Sequence, residues 1–328
     1  MTPRPAASIS LDLDNQWAYM KTHGDPGWEA FPSYLDRFVP HALDALRGLG
    51  LEITFFVVGQ DAALSPHRDA LRALVAAGHE LGNHSFHHEQ WIDTFSRERI
   101  RRELADAADA IDAATGRRPV GYRGPGFSWN AELLDALAES GYLYDASTFP
   151  TYIGPLARRY YLRRSSVAGE EMAKRGKLFG GVGEGRRPLK PYLWRLGSGR
   201  TLLEIPVTTV PLVRTPFHLS YLLWLSRFSQ RLMLIYLRGA LRLCRLTGTE
   251  PSFLLHPLDL LGAEQVPALA FFPGMDLGAD HKLAVFRRVL GEIGARFRPV
   301  SMSRHARELL ARKLPFRAVD APPPQDAA

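Results

Sequence analysis

Apolar side chains in the first half of the chain follow two alternating periods, one typical of strands and one typical of helices. Short apolar runs at residues 7–13 and 53–58 predict buried strands. Between them, residues 31–50 carry apolar side chains three and four positions apart and end in glycines, which predicts an amphipathic helix. The same alternation continues through 68–77, 78–81, 96–115, 120–127, 130–140 and 143–147. This order indicates a parallel sheet with helical crossovers, as in α/β folds.

Polar residues follow the predicted strands at four places in the sequence. Asp14, His84, Arg123 and Asp145 each lie at or just after a predicted strand end. Because the carboxyl ends of parallel strands meet at one edge of a sheet or barrel, we expect these side chains in one site. The bend that follows Arg123 is rich in glycine and proline, and such a bend exposes backbone N–H groups that can receive an anion.

The histidine segment at 82–88, Gly-Asn-His-Ser-Phe-His-His, is the most informative motif. Its residues His84 and His88 are four positions apart, which predicts that both lie on one face of a helical turn. Two converging imidazoles make half of a metal site, and zinc favours such nitrogen ligands. A surface or core cluster of histidines is the alternative interpretation.

A second carboxylate on the first strand and a histidine late in the chain extend this set. Asp12 and Asp14 alternate along the first strand, so both can point to the same face. A strand-ending turn is the alternative for this pair. His256 follows the apolar run 253–255, and its alternative is a histidine buried at the end of a strand.

Composition narrows the class of protein. The chain has 328 residues, of which 46% are hydrophobic and 23% charged, as in ordinary soluble globular proteins. Its one cysteine, Cys244, excludes a disulfide within the chain and a metal site built from several cysteines. No secretory signal precedes the first strand, and this favours a cytoplasmic location.

Basic residues are concentrated in one segment. Residues 158–250 contain 18 Lys and Arg against 5 Asp and Glu, a balance of +13, whereas the whole chain carries +7. The remainder is therefore about −6 by subtraction. A local positive block indicates an anionic partner. No nucleic-acid recognition motif accompanies it, so we do not expect nucleic acid to be that partner.

The C-terminal part of the basic segment, 217–246, suggests contact with a membrane. The longest uncharged run, Thr215 to Ser226, begins two residues before this segment and has 12 residues, too few to span a bilayer. The remainder is interrupted by Arg227, Arg231, Arg238, Arg242 and Arg245. These arginines fall on one narrow helical stripe beside a broad aromatic and aliphatic face, a pattern typical of a helix in a membrane interface. One or two core helices with a solvated arginine edge are the alternative.

The motifs occur in an order that resembles the polysaccharide deacetylase family, also called the NodB homology or carbohydrate esterase 4 group. The order is Asp12-Leu13-Asp14, then His84 to His88, then Arg123-Gly124-Pro125, then Asp145, then Leu254-Leu255-His256. The resemblance implies a deformed (β/α) barrel and hydrolysis of N-acetyl groups on amino sugars. It also implies a divalent metal held by one Asp and two His.

Transferred to this sequence, the resemblance implies that Asp14, His84 and His88 hold the metal and that Asp12 is the catalytic base. Leu13 separates two acids that are commonly adjacent in the family, so the reverse assignment of Asp12 and Asp14 stays open. Zn²⁺ is the expected metal, and Co²⁺, Mn²⁺ or Ni²⁺ suit the same ligands.

The remaining roles concern the substrate and the leaving group. His256 would protonate the leaving amine, and Arg123 would orient the base. Asp145 would orient His256 or contact the substrate. The backbone N–H that follows Pro125 would share the oxyanion. Gly126 stands where the family usually has Tyr, which implies a roomier or differently lined site.

These observations predict a single catalytic domain over residues 1–312 with a basic, apolar insertion at about 155–249. Residues 313–328 are expected to be a disordered tail. The insertion favours a lipid-linked amino sugar as substrate, at the inner face of the cell membrane, with peripheral contact through residues 158–246. The alternatives are a deformylase or another amide hydrolase on the same scaffold, or a non-catalytic, membrane-associated binding protein.

Overall fold

The computed structural model of the chain describes residues 4–156, 159 and 181–319. Ten strands within these residues form one sheet. They are β1 (Ala6–Leu13), β2 (Thr54–Val57), β3 (Glu80–Asn83), β4 (Gly121–Tyr122), β5 (Tyr144–Asp145), β6 (Tyr192–Arg195), β7 (Thr201–Glu204), β8 (Ser252–Leu255), β9 (Arg298–Val300) and β10 (Phe316–Ala318).

Helices cover the sheet. In chain order they are α1 (Gln16–His23), α2 (Leu35–Arg47), α3 (Gly59–Ala63), α4 (Arg68–Ala76), α5 (Arg97–Thr115), α6 (Ala131–Glu139), α7 (Leu219–Ser226), α8 (Gln230–Thr247), α9 (Ala279–Arg296) and α10 (Met302–Leu310). The largest apolar core joins β1, β2 and β8 to α2, α7, α8 and α9.

The sheet is parallel through most of its width, in the order β10-β6-β7-β5-β4-β3-β2-β1-β8, and β9 also pairs with β1. Only the β6–β7 pair is antiparallel among the described strands. Beyond β7, the backbone N–H of Thr208 donates to the carbonyl of Ser252 in β8 at 3.0 Å. The chain after β7 therefore reaches the far end of the sheet and curls it into a barrel. The predicted deformed (β/α) barrel is confirmed.

Most predicted elements of the first half are confirmed with small shifts at their ends. All eight residues of β1 are buried, as expected for a strand covered on both faces. The helix expected at 96–115 is α5. The Ser96 side chain accepts a hydrogen bond from the backbone N–H of Arg99, and Gly116 ends the helix in the left-handed conformation with φ 70°.

The basic part of the insertion is described only in part, because residues 157, 158 and 160–180 lie outside the described residues. Within the described part, Val182–Arg186 forms a short 3₁₀ helix. β7 follows and forms an antiparallel pair with β6.

The apolar part of the insertion is two helices rather than one continuous helix. α7 ends and α8 begins within a short connection. There the Ser229 side chain accepts a hydrogen bond from the N–H of Leu232 and so caps α8. Each helix buries one side in the core. Across the described ranges, no helix is both long and apolar enough to cross a bilayer.

Ordered structure continues beyond the predicted end of the domain. β10 pairs in parallel with β6, so part of the expected tail belongs to the sheet. The expected disorder of residues 320–328 lies outside the described residues.

Candidate metal centre and catalytic cleft

The histidine segment after β3 is a loop, so the predicted helical turn is wrong. Ser85 and His88 adopt left-handed conformations with φ 61° and 53°. The Asn83 side chain accepts from the N–H of Ser85 at 2.8 Å. Glu103 of α5 accepts from the N–H groups of Phe86 and His87, both at 3.0 Å. These side chains accept from backbone N–H groups that a helix would bond internally. The resulting loop turns the two candidate ligands, His84 and His88, inward.

Three side chains converge at the C-terminal ends of β1 and β3. The Asp14 Oδ1 atom lies 3.3 Å from His84 Nε2 and 3.0 Å from His88 Nε2. All three are candidate ligands, with ligand atoms within 4.8 Å of one another. Ligand atoms bound at about 2.1 Å in tetrahedral geometry lie roughly 3.4 Å apart, so this spacing fits a divalent ion.

Hydrogen bonding also fits these residues to a metal. His84 Nδ1 lies 2.7 Å from the carbonyl oxygen of Arg123 and must donate to it, so Nε2 keeps a free lone pair. Asp14 Oδ1 is buried and accepts no hydrogen bond from the described residues. Burial alone would raise the pKa of Asp14, but His88 and His84 outweigh burial and hold that pKa below its usual range.

Asp12 lies next to this cluster and is held by a buried arginine. Arg123 Nη1 donates to Asp12 Oδ1 at 2.7 Å and to Ser10 Oγ at 2.8 Å. The guanidinium also donates from Nε to the carbonyl of Ala146 and stacks over the Phe56 ring at 4.4 Å. Arg123 is fully buried, so its position and that of the Asp12 carboxylate are fixed together.

Asp145 is fully buried, and its side chain is hydrogen-bonded to Ser147. The expectation that it orients His256 or contacts the substrate stays a prediction. Asp145 Oδ1 accepts from Ser147 Oγ at 2.5 Å, and Ser147 Oγ accepts from the N–H of Gly124 at 2.8 Å. Asp145 therefore supports the bend after Arg123.

A second carboxylate lies beside Asp145. Glu204, at the end of β7, accepts hydrogen bonds from Thr148 and from the indole N–H of Trp194. Burial, together with the Asp145 carboxylate, raises the pKa of Glu204 well above its usual value. Burial also raises the pKa of Asp145. Both shifts favour protonation, which reduces the repulsion between the two carboxyl groups.

The oxyanion candidates lie in that bend. Pro125 is buried, and Gly126 adopts a left-handed conformation with φ 60° and ψ 19°. A Cβ atom at Gly126 would lie 3.3 Å from the Cβ of Gln90, so any larger residue would be both strained and crowded. The role of the Gly126 N–H as an oxyanion donor stays a prediction.

The residue that supports His256 is Asp259, which sequence reasoning missed. Asp259 Oδ2 accepts from the backbone N–H of His256 at 2.9 Å and lies 3.8 Å from its Nδ1 atom. Burial favours a neutral ring, but Asp259, followed by Asp12 and Asp14, outweighs it and raises the pKa of His256 to about 9. His256 is therefore protonated at neutral pH, as a general acid requires.

Two residues next to His256 come from the insertion. Ser220 Oγ lies 3.3 Å from His256 Nδ1. The ring of His218, which was not predicted as a site residue, is centred 6.4 Å from the His256 ring. The only sequence signal is that His218 immediately precedes an apolar run that begins a helix.

On the side of the metal cluster, the buried hydroxyl of Tyr19 has no hydrogen-bond partner within the described ranges.

Comparisons with known proteins match part of the chain to one protein family. Residues 24–144 match the model of the polysaccharide deacetylase family. The chain is 32% identical over 105 residues to a chitooligosaccharide deacetylase of Sinorhizobium fredii, covering 32% of the chain and 47% of the relative. It is 28% identical over 138 residues to a peptidoglycan-N-acetylglucosamine deacetylase of Bacillus cereus, covering 42% and 60%. The chain thus spans about half the length of the curated relatives it matches.

The fold of the whole chain resembles a crystal structure from Mycobacterium smegmatis that is named for the same family. The TM-score is 0.62 at 22% identity, and the match covers 98% of this chain and 96% of the other. The fold and the polar cluster at the strand ends define a deformed barrel with a candidate metal site. Residues 24–144 resemble the polysaccharide deacetylase family, and the fold of the whole chain resembles that of the M. smegmatis protein.

Proposed function

We propose that the protein is a metal-dependent deacetylase that hydrolyses the N-acetyl group of an amino sugar. The observation that carries the proposal is the convergence of Asp14, His84 and His88 beside the Asp12–Arg123 pair. The candidate metal site, the candidate base Asp12 and the protonated imidazole of His256 all lie at the strand ends on one side of the barrel. These are the three functions that amide hydrolysis needs.

Asp14, His84 and His88 would hold the ion, for which Zn²⁺ is proposed and Co²⁺, Mn²⁺ or Ni²⁺ are possible substitutes. When bound, the ion supplies a Lewis acid that polarises the amide carbonyl and acidifies water. Asp12 accepts a proton from the attacking water, and Arg123 fixes the carboxylate for this step. The contacts support Asp14 as ligand and Asp12 as base, because Asp14 faces the imidazoles while Asp12 bonds to the guanidinium.

His256 delivers the proton to the leaving amine. Asp259 and Ser220 lie on the Nδ1 side of the ring and hold it in place, so Nε2 carries the transferred proton. The backbone N–H of Gly126 shares the developing oxyanion, and Asp145 keeps the bend in position through Ser147.

We propose a lipid-linked amino sugar as the substrate class and the inner face of the cell membrane as the location. The support is an exposed apolar surface on α7 and α8 formed by Trp224, Phe228, Leu232 and Ile235, whose exposed fractions run from 46% to 69%. Arg231 is exposed on the same part of α8. Apolar side chains flanked by a cation are suited to an anionic lipid surface.

The arginine stripe contributes less to this surface than its charge suggests. Arg227 is paired with Asp276 at 2.7 Å, and Arg238 with Glu292 at 2.6 Å. These two cations are neutralised within the protein, so the proposed membrane contact depends mainly on the apolar side chains.

One experiment separates deacetylation from the alternatives. Purified protein loaded with Zn²⁺ is incubated with N-acetylglucosamine oligomers and, separately, with an N-formyl analogue, and released acetate and formate are quantified. We expect acetate release that the His84→Ala variant abolishes. Formate release alone would favour a deformylase, and no release from any amide, with the metal bound, would favour a binding protein.

A further inference from the structure

His218 is the titratable group in the cleft that the proposed mechanism does not use. It immediately precedes α7 and lies in the insertion. Its backbone carbonyl accepts from the N–H groups of Tyr221 and Leu222, and these bonds fix the start of the helix. The isolated pairing of Thr209 with Pro216 fixes the segment that leads into it. The position of His218 is therefore set by regular structure.

The surroundings of the ring are those of a cleft and not of a satisfied core histidine. The residue is half-buried, yet Nδ1 is buried and has no hydrogen-bond partner within the part of the chain that the structure describes. One edge of the ring faces His256, with ring planes at 74°. On another side lies Phe149, 5.6 Å away, which itself packs against Phe127 at 4.9 Å. Phe127 belongs to the bend that carries the proposed oxyanion donor.

The groups around His218 favour its neutral form. Burial and the neighbouring His256 lower the pKa of His218 to about 4, against the opposing influence of Asp259 and Asp12. The ring is therefore neutral at physiological pH, while His256 is protonated. A neutral imidazole can donate one hydrogen bond and accept another, which suits a hydroxyl group.

We propose that His218 is a substrate-binding residue that holds a hydroxyl of the sugar ring bearing the N-acetyl group. The inference rests on the proposed amino-sugar substrate and adds a residue supplied by the insertion. Phe127, Phe149 and His218 form one wall of the cleft, and aromatic rings flanking a hydrogen-bonding group are suited to a sugar ring. The wall lies beside His256, which delivers the proton, and would fix the amide against it.

The test compares His218→Phe with His218→Gln in the zinc-loaded full chain. His218→Phe keeps a planar ring and removes the hydrogen bonds, whereas His218→Gln keeps a donor and an acceptor. We expect His218→Phe to raise the KM for an N-acetylglucosamine oligomer by about tenfold, the upper range for one hydrogen bond. Its kcat should stay within about threefold, and His218→Gln should restore most of the KM.

His281→Phe is the matched control. His281 also contacts α7, through Ser226 Oγ at 3.0 Å, but has no recorded contact with His256. It should leave KM unchanged. Metal content and the circular dichroism spectrum check that each variant is folded and loaded.

A second measurement does not depend on turnover. In an Asp12→Asn background, calorimetry should show about tenfold weaker binding of the oligomer when His218→Phe is added. An unchanged KM and affinity in His218→Phe would overturn the proposal, as would a fall in kcat at constant KM. If the wild-type protein turns over no amino sugar at all, the proposed function fails instead, so the two failures are distinct.

Discussion

His84 donates its Nδ1 proton to the backbone carbonyl of Arg123 at 2.7 Å, and the side chain of the same arginine holds Asp12. One residue on the strand end of β4 thus orients a candidate metal ligand with its main chain and the candidate base with its side chain. The two groups that must face a common water are linked through a single buried position. Errors in placing Arg123 would therefore disturb both.

Replacing either imidazole should remove the metal. His84→Ala or His88→Ala leaves two ligands, so zinc affinity should fall by well over tenfold, as measured by competition with a chromogenic chelator. His87→Ala is the matched control in the same loop, because the His87 ring bonds to Glu103 and not to the cluster. A full equivalent of tightly bound metal in His84→Ala would show that the triad is not the site.

Replacing Asp12 and replacing Asp14 should have different effects on metal binding and turnover. Asp12→Asn should keep its metal and lose about 10²- to 10⁴-fold in kcat, the range expected for a general base. Asp14→Asn should lose metal affinity along with activity. Metal analysis beside steady-state kinetics makes the distinction, and the opposite pattern would exchange the two roles.

Removal of the buried guanidinium should destabilise the fold. Arg123→Met leaves Asp12 unpaired in the interior, and breaking a buried pair in this way costs about 3–5 kcal/mol of unfolding free energy. Urea denaturation measures this change. Arg101→Met, which breaks an exposed pair with Glu139, should change the midpoint little. Equal effects of both variants would contradict a supporting role for Arg123.

The pH dependence of activity should reflect His256. A general acid must be protonated, and the pKa of His256 is raised to about 9, so kcat/KM should fall as pH rises through that value. Asp259→Asn removes the main cause of the raised pKa and should move this alkaline limb down toward about 6.5. An alkaline limb that Asp259→Asn leaves in place would exclude His256 as the titrating acid.

The raised pKa of His256 also makes the stability of the fold depend on pH. Because the folded pKa of His256 lies above its unfolded value, the protonated ring stabilises the fold fully below about pH 6.5. This contribution is lost as pH rises from there to about 9. Thermal unfolding of the wild type and of Asp259→Asn across this range should show the difference.

Membrane contact can be tested on the exposed surface of α7 and α8. Changing Trp224 and Phe228 together to Ser should release the protein from vesicles containing anionic lipid, measured by co-sedimentation. Leu246→Ser is the control, because Leu246 is 81% exposed but lies at the far end of α8. High salt should weaken binding of the wild type without abolishing it, since screening acts on the charges and not on apolar burial. Wild-type protein that ignores such vesicles at every salt concentration would remove the support for a lipid-linked substrate.

The strand ends could be predicted because apolar periodicity and glycine caps are local signals. Asp14, His84 and Arg123 follow such strands, so their convergence at one rim was foreseeable. The conformation of the histidine loop was not, because it depends on Glu103, which lies 16 residues beyond His87 in the next helix. A four-residue spacing is equally compatible with a helical turn and with this loop.

The environment of His256 could not be predicted for a related reason. Ser220 is 36 residues away in sequence and belongs to a helix whose packing brings it to the ring. The support that Asp145 gives to the bend through Ser147 could not be predicted either, because the sequence does not show which strands are neighbours in the sheet. Strand order is a property of the whole barrel.

Helix α7 has eight residues and is therefore about 12 Å long. Its first turn carries Ser220 against His256, and its last turns carry Trp224 toward solvent. A short helix behaves as a rigid lever, so a tilt of about 5° at the outer end displaces the inner end by roughly 1 Å. Misplacements of that size can cost about 10²-fold in rate. A force on Trp224 would therefore be transmitted through α7 to Ser220 and to the His256 ring that Ser220 contacts.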